Sequence, residues 1–343
     1  MVKKEKAPKK PMTFKRFLRN FCIFLVIFFL LNMVAADILF RFIFPRYDYK
    51  EGTVDPFFTE EDAAHYTREC VTFASGKNTL HGHLYTNENA IGILLLAHGS
   101  HSHGDRMLPF VKYFYDAGYS VLTFDGTGSY ESEGKNSVGL VQMKKDVLAA
   151  IDYIKETPGI KDLPLALLGH SMGGYAVVSA ADETEGVSCV ICLSGFDKPN
   201  DIMFSQAKDY AGPAAYAGYP FMCLKNIMLF GFNCNESAHE QLQESTIPML
   251  IVQGSGDQVI SDDLSITQYE TTITNPLISF ITVEDAYRNE HSTLWLTQEC
   301  AEYTLQVLDE EAPLTEYDPA KLYQLDLEFM ETLNDFLTTS TQK

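Results

Sequence analysis

The chain predicts an α/β domain, with a mostly parallel central sheet covered by helices on both faces, set behind an N-terminal membrane-spanning helix. Three features carry this expectation: short apolar runs alternate with helical stretches, a glycine-flanked serine closes one of those runs, and a basic segment leads into a long apolar one. At 343 residues with 46% hydrophobic side chains, the chain has enough material for one large core. No repeat period or low-complexity tract suggests a solenoid or a disordered chain.

The N-terminal element comes first. In residues 1–19, Lys3, Lys4, Lys6, Lys9, Lys10, Lys15, Arg16 and Arg19 stand against a single acid, Glu5. Residues 21–40 then read FCIFLVIFFLLNMVAADILF, about the 20 residues a helix needs to cross a bilayer. The basic flank is expected in the cytoplasm, which places everything downstream outside. A cleaved signal peptide is the rival reading, with Val34-Ala35-Ala36 as small residues for cleavage. An uncleaved anchor is favoured because the apolar stretch resumes at Ile38-Leu39-Phe40 and an aromatic flank follows. The expected organisation is a basic cytoplasmic tail (1–20), an anchor (21–43), a linker (44–67) and an α/β domain (68–343), at the cell membrane with a single pass.

The formal net charge is −20, and from residue 41 onward 18 basic side chains face 44 acidic ones, a net of −26. That surface repels nucleic acid. Of seven cysteines, Cys189 and Cys192 form a C-x-x-C inside VSCVICL, a buried-strand pattern in which residues three apart point to opposite faces. No second C-x-x-C completes a zinc site. Cys223 and Cys234 are open to pairing in an exported domain, or to remaining as two buried thiols.

Strands are expected at 69–73 and 80–85, around the turn Ser75-Gly76-Lys77-Asn78, and then at 91–97, 119–124, 165–168, 187–193, 248–252 and 277–283. Leu140, Met143, Val147, Ile151 and Ile154 recur at spacings of three and four, giving one apolar helix face that ends before Gly159. An amphipathic helix is expected at 320–337. The stretch between Ser194 and Thr246 is too long for a bare loop and rich in aromatics and methionine, so a helical lid is expected at about 196–246. Phe221, Met222, Met228, Phe230 and Phe232 are its candidates for lining an acyl pocket, without any one being assigned.

The chemistry rests on LLGHSMGGY, residues 167–175. A G-x-S-x-G serine matters when a strand runs into a sharp turn and a helix follows, because the turn lifts the hydroxyl clear of the sheet. Here 165–168 is the strand, Gly169 and Gly173 flank Ser171, and 175–181 reads as helix. A serine needs a base and an orienting acid downstream. Asp257 follows the strand that enters Gly254-Ser255-Gly256, and His291 follows the strand at 277–283. The remaining histidines fit less well, and Asp262 and Asp263 fall farther from the strand end. Two backbone N–H groups are expected for an oxyanion: Met172, just after the serine, and Ser100, in the loop His98-Gly99-Ser100-His101-Ser102-His103-Gly104. His101-x-His103 with Asp105 has the look of metal ligands, but nothing in the sequence marks further ligands converging on them.

With LLLAHGSHSHGDRM, FDGTGSYESEG, LLGHSMGG, VQGSGDQV and the late His291 together, the sequence resembles the α/β-hydrolase superfamily, in the branch of monoacylglycerol lipases and serine aminopeptidase S33 hydrolases. The resemblance covers residues 68–310. It implies a triad of Ser171, Asp257 and His291, an oxyanion hole of Ser100 and Met172, and no cofactor. Asp125-Gly126-Thr127-Gly128-Ser129 is similar to the family's D-x-R-G-x-G-x-S turn without its arginine, and Asn289 or Glu290 replaces the glycine before the histidine. The function expected is hydrolysis of small-molecule or lipid-like carboxylic esters through an acyl-enzyme. A peptidase or thioesterase of the same fold is the nearest alternative, and an inactive exported binding protein is the alternative from another class.

Overall fold

The computed structural model describes residues 13–48, 58–310, 318 and 321–341. The tail at 1–12 and part of the expected linker lie outside these residues.

Among the described residues, eight strands form one sheet: β1 (Arg68–Ser75), β2 (Asn78–Tyr85), β3 (Gly92–Ala97), β4 (Tyr119–Phe124), β5 (Leu165–His170), β6 (Val187–Leu193), β7 (Met249–Gly254) and β8 (Ile278–Val283). Their spatial order is β1-β2-β4-β3-β5-β6-β7-β8. β2 runs antiparallel to both neighbours and every other pairing is parallel. The central strands are buried on both faces, which is why they read as apolar runs rather than alternations; every residue of β3, β4 and β7 is buried.

Among the described residues, ten α-helices accompany the sheet: α1 (Phe14–Ile43), α2 (Glu60–His65), α3 (Leu108–Asp116), α4 (Leu140–Glu156), α5 (Met172–Ala181), α6 (Pro199–Ala211), α7 (Ala214–Phe230), α8 (Ala238–Glu244), α9 (Gln298–Glu310) and α10 (Leu327–Thr341). On one face Ile93, Leu95 and Ala97 pack with the predicted stripe of α4, namely Leu140, Met143, Val147, Ile151 and Ile154, and with α5. On the other face Leu94 and Leu96 pack with Phe110 and Phe114 of α3 and with Met330, Leu333 and Leu337 of α10. Cys189 belongs to the second core and Cys192 to the first, as the period of two requires. Cys223 and Cys234 are both free thiols.

Four features differ from expectation. The N-terminal helix begins at Phe14 rather than at residue 21, because Lys15, Arg16 and Arg19 are good helix formers whose long side chains extend a helix into a polar flank. Its last turns are part of the fold: Ala36, Phe40, Ile43 and Phe44 are buried in the same core as α4 and α5. The expected linker is fixed at its start, where Arg46 donates to the carbonyls of Tyr130, Ser132 and Gly134; it also contains α2, closed by a Thr59–Asp62 capping box. Finally, the C-terminal helix starts at Leu327 instead of residue 320, capped by Asp326 Oδ1 accepting from the Phe329 N–H at 2.8 Å.

The expected lid is helical, comprising α6, α7 and α8, but α7 lies against α1. Phe221 meets the rings of Phe28 and Phe29, Tyr210 meets Phe42, and Lys225 Nζ pairs with Asp37 Oδ1 at 2.5 Å.

Candidate active site

Ser171 sits between β5 and α5 with φ 56° and ψ −117°, a region that costs a non-glycine residue of order 1–3 kcal/mol. Its neighbours explain how the turn is tolerated. A Cβ on Gly169 would stand 2.2 Å from the Gly173 carbonyl oxygen, and one on Gly173 would stand 2.1 Å from that of Ala97. Both positions must be glycine for β5, the turn and β3 to come this close. The Ser171 N–H donates to the Leu193 carbonyl at 2.8 Å, which ties the turn to the next strand.

Asp257 lies past the end of β7 and His291 in the loop after β8. His291 Nδ1 donates to Asp257 Oδ2 at 2.7 Å. Asp257 is otherwise saturated: Gln253 Nε2 donates to Oδ2 at 2.8 Å, and the Val259 and Ile260 N–H groups donate to Oδ1 at 2.9 and 2.8 Å. Burial by itself would raise the Asp257 carboxyl. The His291 hydrogen bond and charge and the two backbone donors outweigh it, holding the group ionised below the usual carboxylate range. With Nδ1 occupied, the second ring nitrogen of His291 is the one available for a proton.

A cavity of about 510 Å³ holds these parts together. Ser171 and His291 line it, as do Ser100, His101 and His170, with Phe110 and Trp295 packed edge to face in its wall at 5.3 Å. Arg106 is at the lining, and no described lining residue is acidic. Met172 is the first residue of α5, so its N–H has no intrahelical acceptor and sits at the positive end of the helix. Asp257 reaches the site through His291. Ser171, His291 and Ser100 thus share this cavity, Asp257 is bonded to His291, and Met172 follows Ser171 at the start of α5.

No residue of 196–246 lines this cavity, so the aromatic and methionine residues offered for an acyl pocket are elsewhere. The wall comes instead from Thr304, Leu322 and Tyr323, beyond or near the end of the region covered by the family resemblance. This C-terminal strap is fastened by the Thr297 N–H on the Gln324 carbonyl, the Asp326 N–H on that of Trp295, and an Arg288–Asp326 ion pair at 3.0 Å.

Three positioning groups carry no local sequence signal. Beyond Gln253, His170 Nε2 donates to the His291 carbonyl at 2.9 Å and Ser194 Oγ donates to it at 3.1 Å, fixing the histidine loop. Sequence order places His170 beside the serine, and only the tertiary fold turns its ring onto His291, at 4.8 Å between centroids. Burial, with His291 adding to it, pushes the His170 imidazole down to about 3, so it stays neutral.

The histidine-glycine loop is also clamped. His98 Nε2 accepts from the Gly126 N–H at 2.9 Å, and Asp125 Oδ1 accepts from the Gly104 N–H at 2.8 Å. The Asp125–Ser129 turn therefore acts on the loop that contains Ser100, consistent with a structural role. Asp105 pairs with Arg68 at 3.2 Å and with His83 at 3.1 Å.

Residues 88–220 match the family model for serine aminopeptidases of type S33. A Salmonella typhi protein, YfhR, is 28% identical over 208 residues, covering 56% of this chain and 65% of that one. The monoglyceride lipase of Homo sapiens is 25% identical over 201 residues, covering 49% of this chain and again 65% of the relative. Among solved structures, the Pyrococcus furiosus esterase Pf2001 superposes with a TM-score of 0.56 at 18% identity, over 82% of this chain and 94% of its own. The α/β hydrolase GrgF from Penicillium sp. superposes with a TM-score of 0.52 at 15% identity, over 81% and 100%.

Proposed function

We propose that this chain, which has the α/β-hydrolase fold, is a membrane-anchored serine hydrolase of carboxylic esters, with its catalytic domain outside the cytoplasm. The observation that carries the reading is the 2.7 Å His291–Asp257 pair, whose histidine lines the same cavity as a serine held in a strained turn. Ser171 Oγ attacks the ester carbonyl as His291 takes its proton, and Asp257 stabilises the imidazolium. The N–H groups of Ser100 and Met172 hold the oxyanion, worth several kcal/mol in the transition state. His291 returns its proton to the departing alcohol. Water then enters, His291 accepts one of its protons, and the acid leaves as Ser171 regains its hydrogen.

The cavity's composition supports an ester over the free amino terminus that an aminopeptidase must hold. Such a cation calls for a carboxylate, whereas the described lining offers Arg106 and none. The volume falls within the range usual for small-molecule sites. For the anchor, support comes from α1, which is long and apolar enough to span a bilayer and carries Lys15, Arg16 and Arg19 at its start.

The test is labelling of the full-length protein with a fluorophosphonate, beside turnover of short-chain p-nitrophenyl esters. Ser171→Ala should lose both label and turnover, and His291→Ala should lose turnover, each with its unfolding midpoint near wild type. Turnover that survives either change overturns the assignment.

A further inference from the structure

The insertion that does not line the cavity has another use. α7 reads AAYAGYPFMCLKNIMLF and contains one charged residue, Lys225, whose charge is met by Asp37 of α1. Its partners on α1 fix its depth. Phe221 lies against Phe28 and Phe29, and Phe28 stands nine residues before Asp37, about 13 Å along the helix axis. A hydrocarbon core of about 30 Å takes up about 20 residues. If it begins after Arg19, the last of the basic flank, it extends to about Leu39 and puts Phe28 and Phe29 near mid-bilayer. Protein that touches those rings is in lipid.

The outward surface agrees. Tyr216 and Met228 of α7 are 67% and 68% exposed, and Phe232, just past its end, is 90% exposed. Tyr210, at the end of α6, is exposed beside Phe42. These side chains continue the bare apolar surface that α1 presents from Phe14 to Leu31. In water such a patch is a liability, and next to a spanning helix it is lipid-facing surface.

We propose that the α6–α7 hairpin enters the hydrocarbon of the outer leaflet beside α1, so that the protein holds the bilayer by two elements, with the Lys225–Asp37 pair closing the seam between them. This rests on the anchored reading above, and the experiment separates the two. Full-length protein is placed in phosphatidylcholine vesicles whose acyl chains carry bromine, a short-range quencher of tryptophan. With Trp295→Phe as background, single tryptophans are introduced as Tyr216→Trp, Met228→Trp and, for reference in α1, Leu31→Trp. The same three changes in the parent that keeps Trp295, read by difference, guard against a misfolded background. Quenching of the two insertion tryptophans to within a factor of about two of the α1 reference is the expected result for a lipid-inserted surface. Quenching of Leu31→Trp alone overturns the proposal and leaves the anchor standing. Blue-shifted but unquenched emission from the insertion, with Leu31→Trp quenched, overturns it in favour of a protein partner such as a second copy. Quenching at none of the three positions overturns both readings.

Discussion

Replacing Asp257 by asparagine alters one atom of the site, and the structure dictates how the new amide must sit. Oδ1 of Asp257 accepts from the Val259 and Ile260 N–H groups at 2.9 and 2.8 Å, whereas Oδ2 accepts from Gln253 Nε2 and His291 Nδ1. The amide oxygen takes the side facing the two backbone donors, since its NH₂ there would forfeit both bonds. That turns the NH₂ toward His291, whose Nδ1 must then accept instead of donate. The ring proton moves to Nε2, and the base is occupied on the side where it should take a proton from Ser171. A wrong tautomer of this kind costs about 10⁴-fold in turnover, or ~5.5 kcal/mol. Gln253 also loses its carboxylate acceptor, for about 1–3 kcal/mol of stability. Steady-state hydrolysis of p-nitrophenyl butyrate, with thermal unfolding of the same samples, measures both. A folded Asp257→Asn protein that loses less than about tenfold in kcat/KM would refute the role given to this pair.

Gly173→Ala places a Cβ 2.1 Å from the Ala97 carbonyl oxygen and 2.8 Å from that of His98, both backbone atoms; activity should fall more than about 100-fold or the protein fail to fold. Gly218→Ala, inside α7 with nothing within 4 Å, should instead raise stability by about 0.5–1 kcal/mol in the same unfolding assay, and destabilisation of both variants alike would count against the packed turn. His98 is neutral and doubly engaged, its Nδ1–H on the Gly99 carbonyl and its Nε2 accepting from Gly126, and burial pushes it down to about 4. The unfolded chain takes up that proton below about 6.5 and the native state does not until about 4, so stability must fall with acidification through this window, by about 2 kcal/mol from this residue between about pH 7 and about pH 5. His170 acts in the same direction, and equal or greater resistance to denaturant at the lower pH would contradict the argument. Leu322→Ala and Tyr323→Ala open the cavity wall, and each methylene newly accommodated should favour longer acyl esters by about fourfold in relative kcat/KM. A chain-length series with unchanged preference would remove the strap from substrate selection.

What could be read from the sequence follows the range of the interactions involved. The elbow was legible because Gly169, Ser171 and Gly173 are contiguous and because the strand before them is uniformly apolar. Asp257 and His291 were legible as residues past strand ends, in the chain order a serine site needs. Gln253, His170 and Ser194 were not, since each acts on a partner fixed by strands far apart in the chain. For the same reason the insertion's aromatics and methionines signal burial without naming a partner: composition cannot tell an acyl chain from the main core, where Met203 and Met222 lie, or from the face of α1, where Phe221 lies. The strap leaves no sequence signal because its fastening depends on main-chain bonds and the Arg288–Asp326 pair.

The junction at Phe40–Arg46 has a mechanical consequence. Phe40, Ile43 and Phe44 are set in the core, and Arg46 clasps three carbonyls of the Tyr130–Gly134 loop. An enzyme on a flexible tether samples a hemisphere of heights and tilts. Here the joint has no swivel, so on the anchored reading proposed above a membrane holding α1 would fix the altitude and bearing of Ser171 together, at one level above the surface. Exchange of α1 for an unrelated anchor would therefore remove part of the core and the calibration of that height in the same stroke.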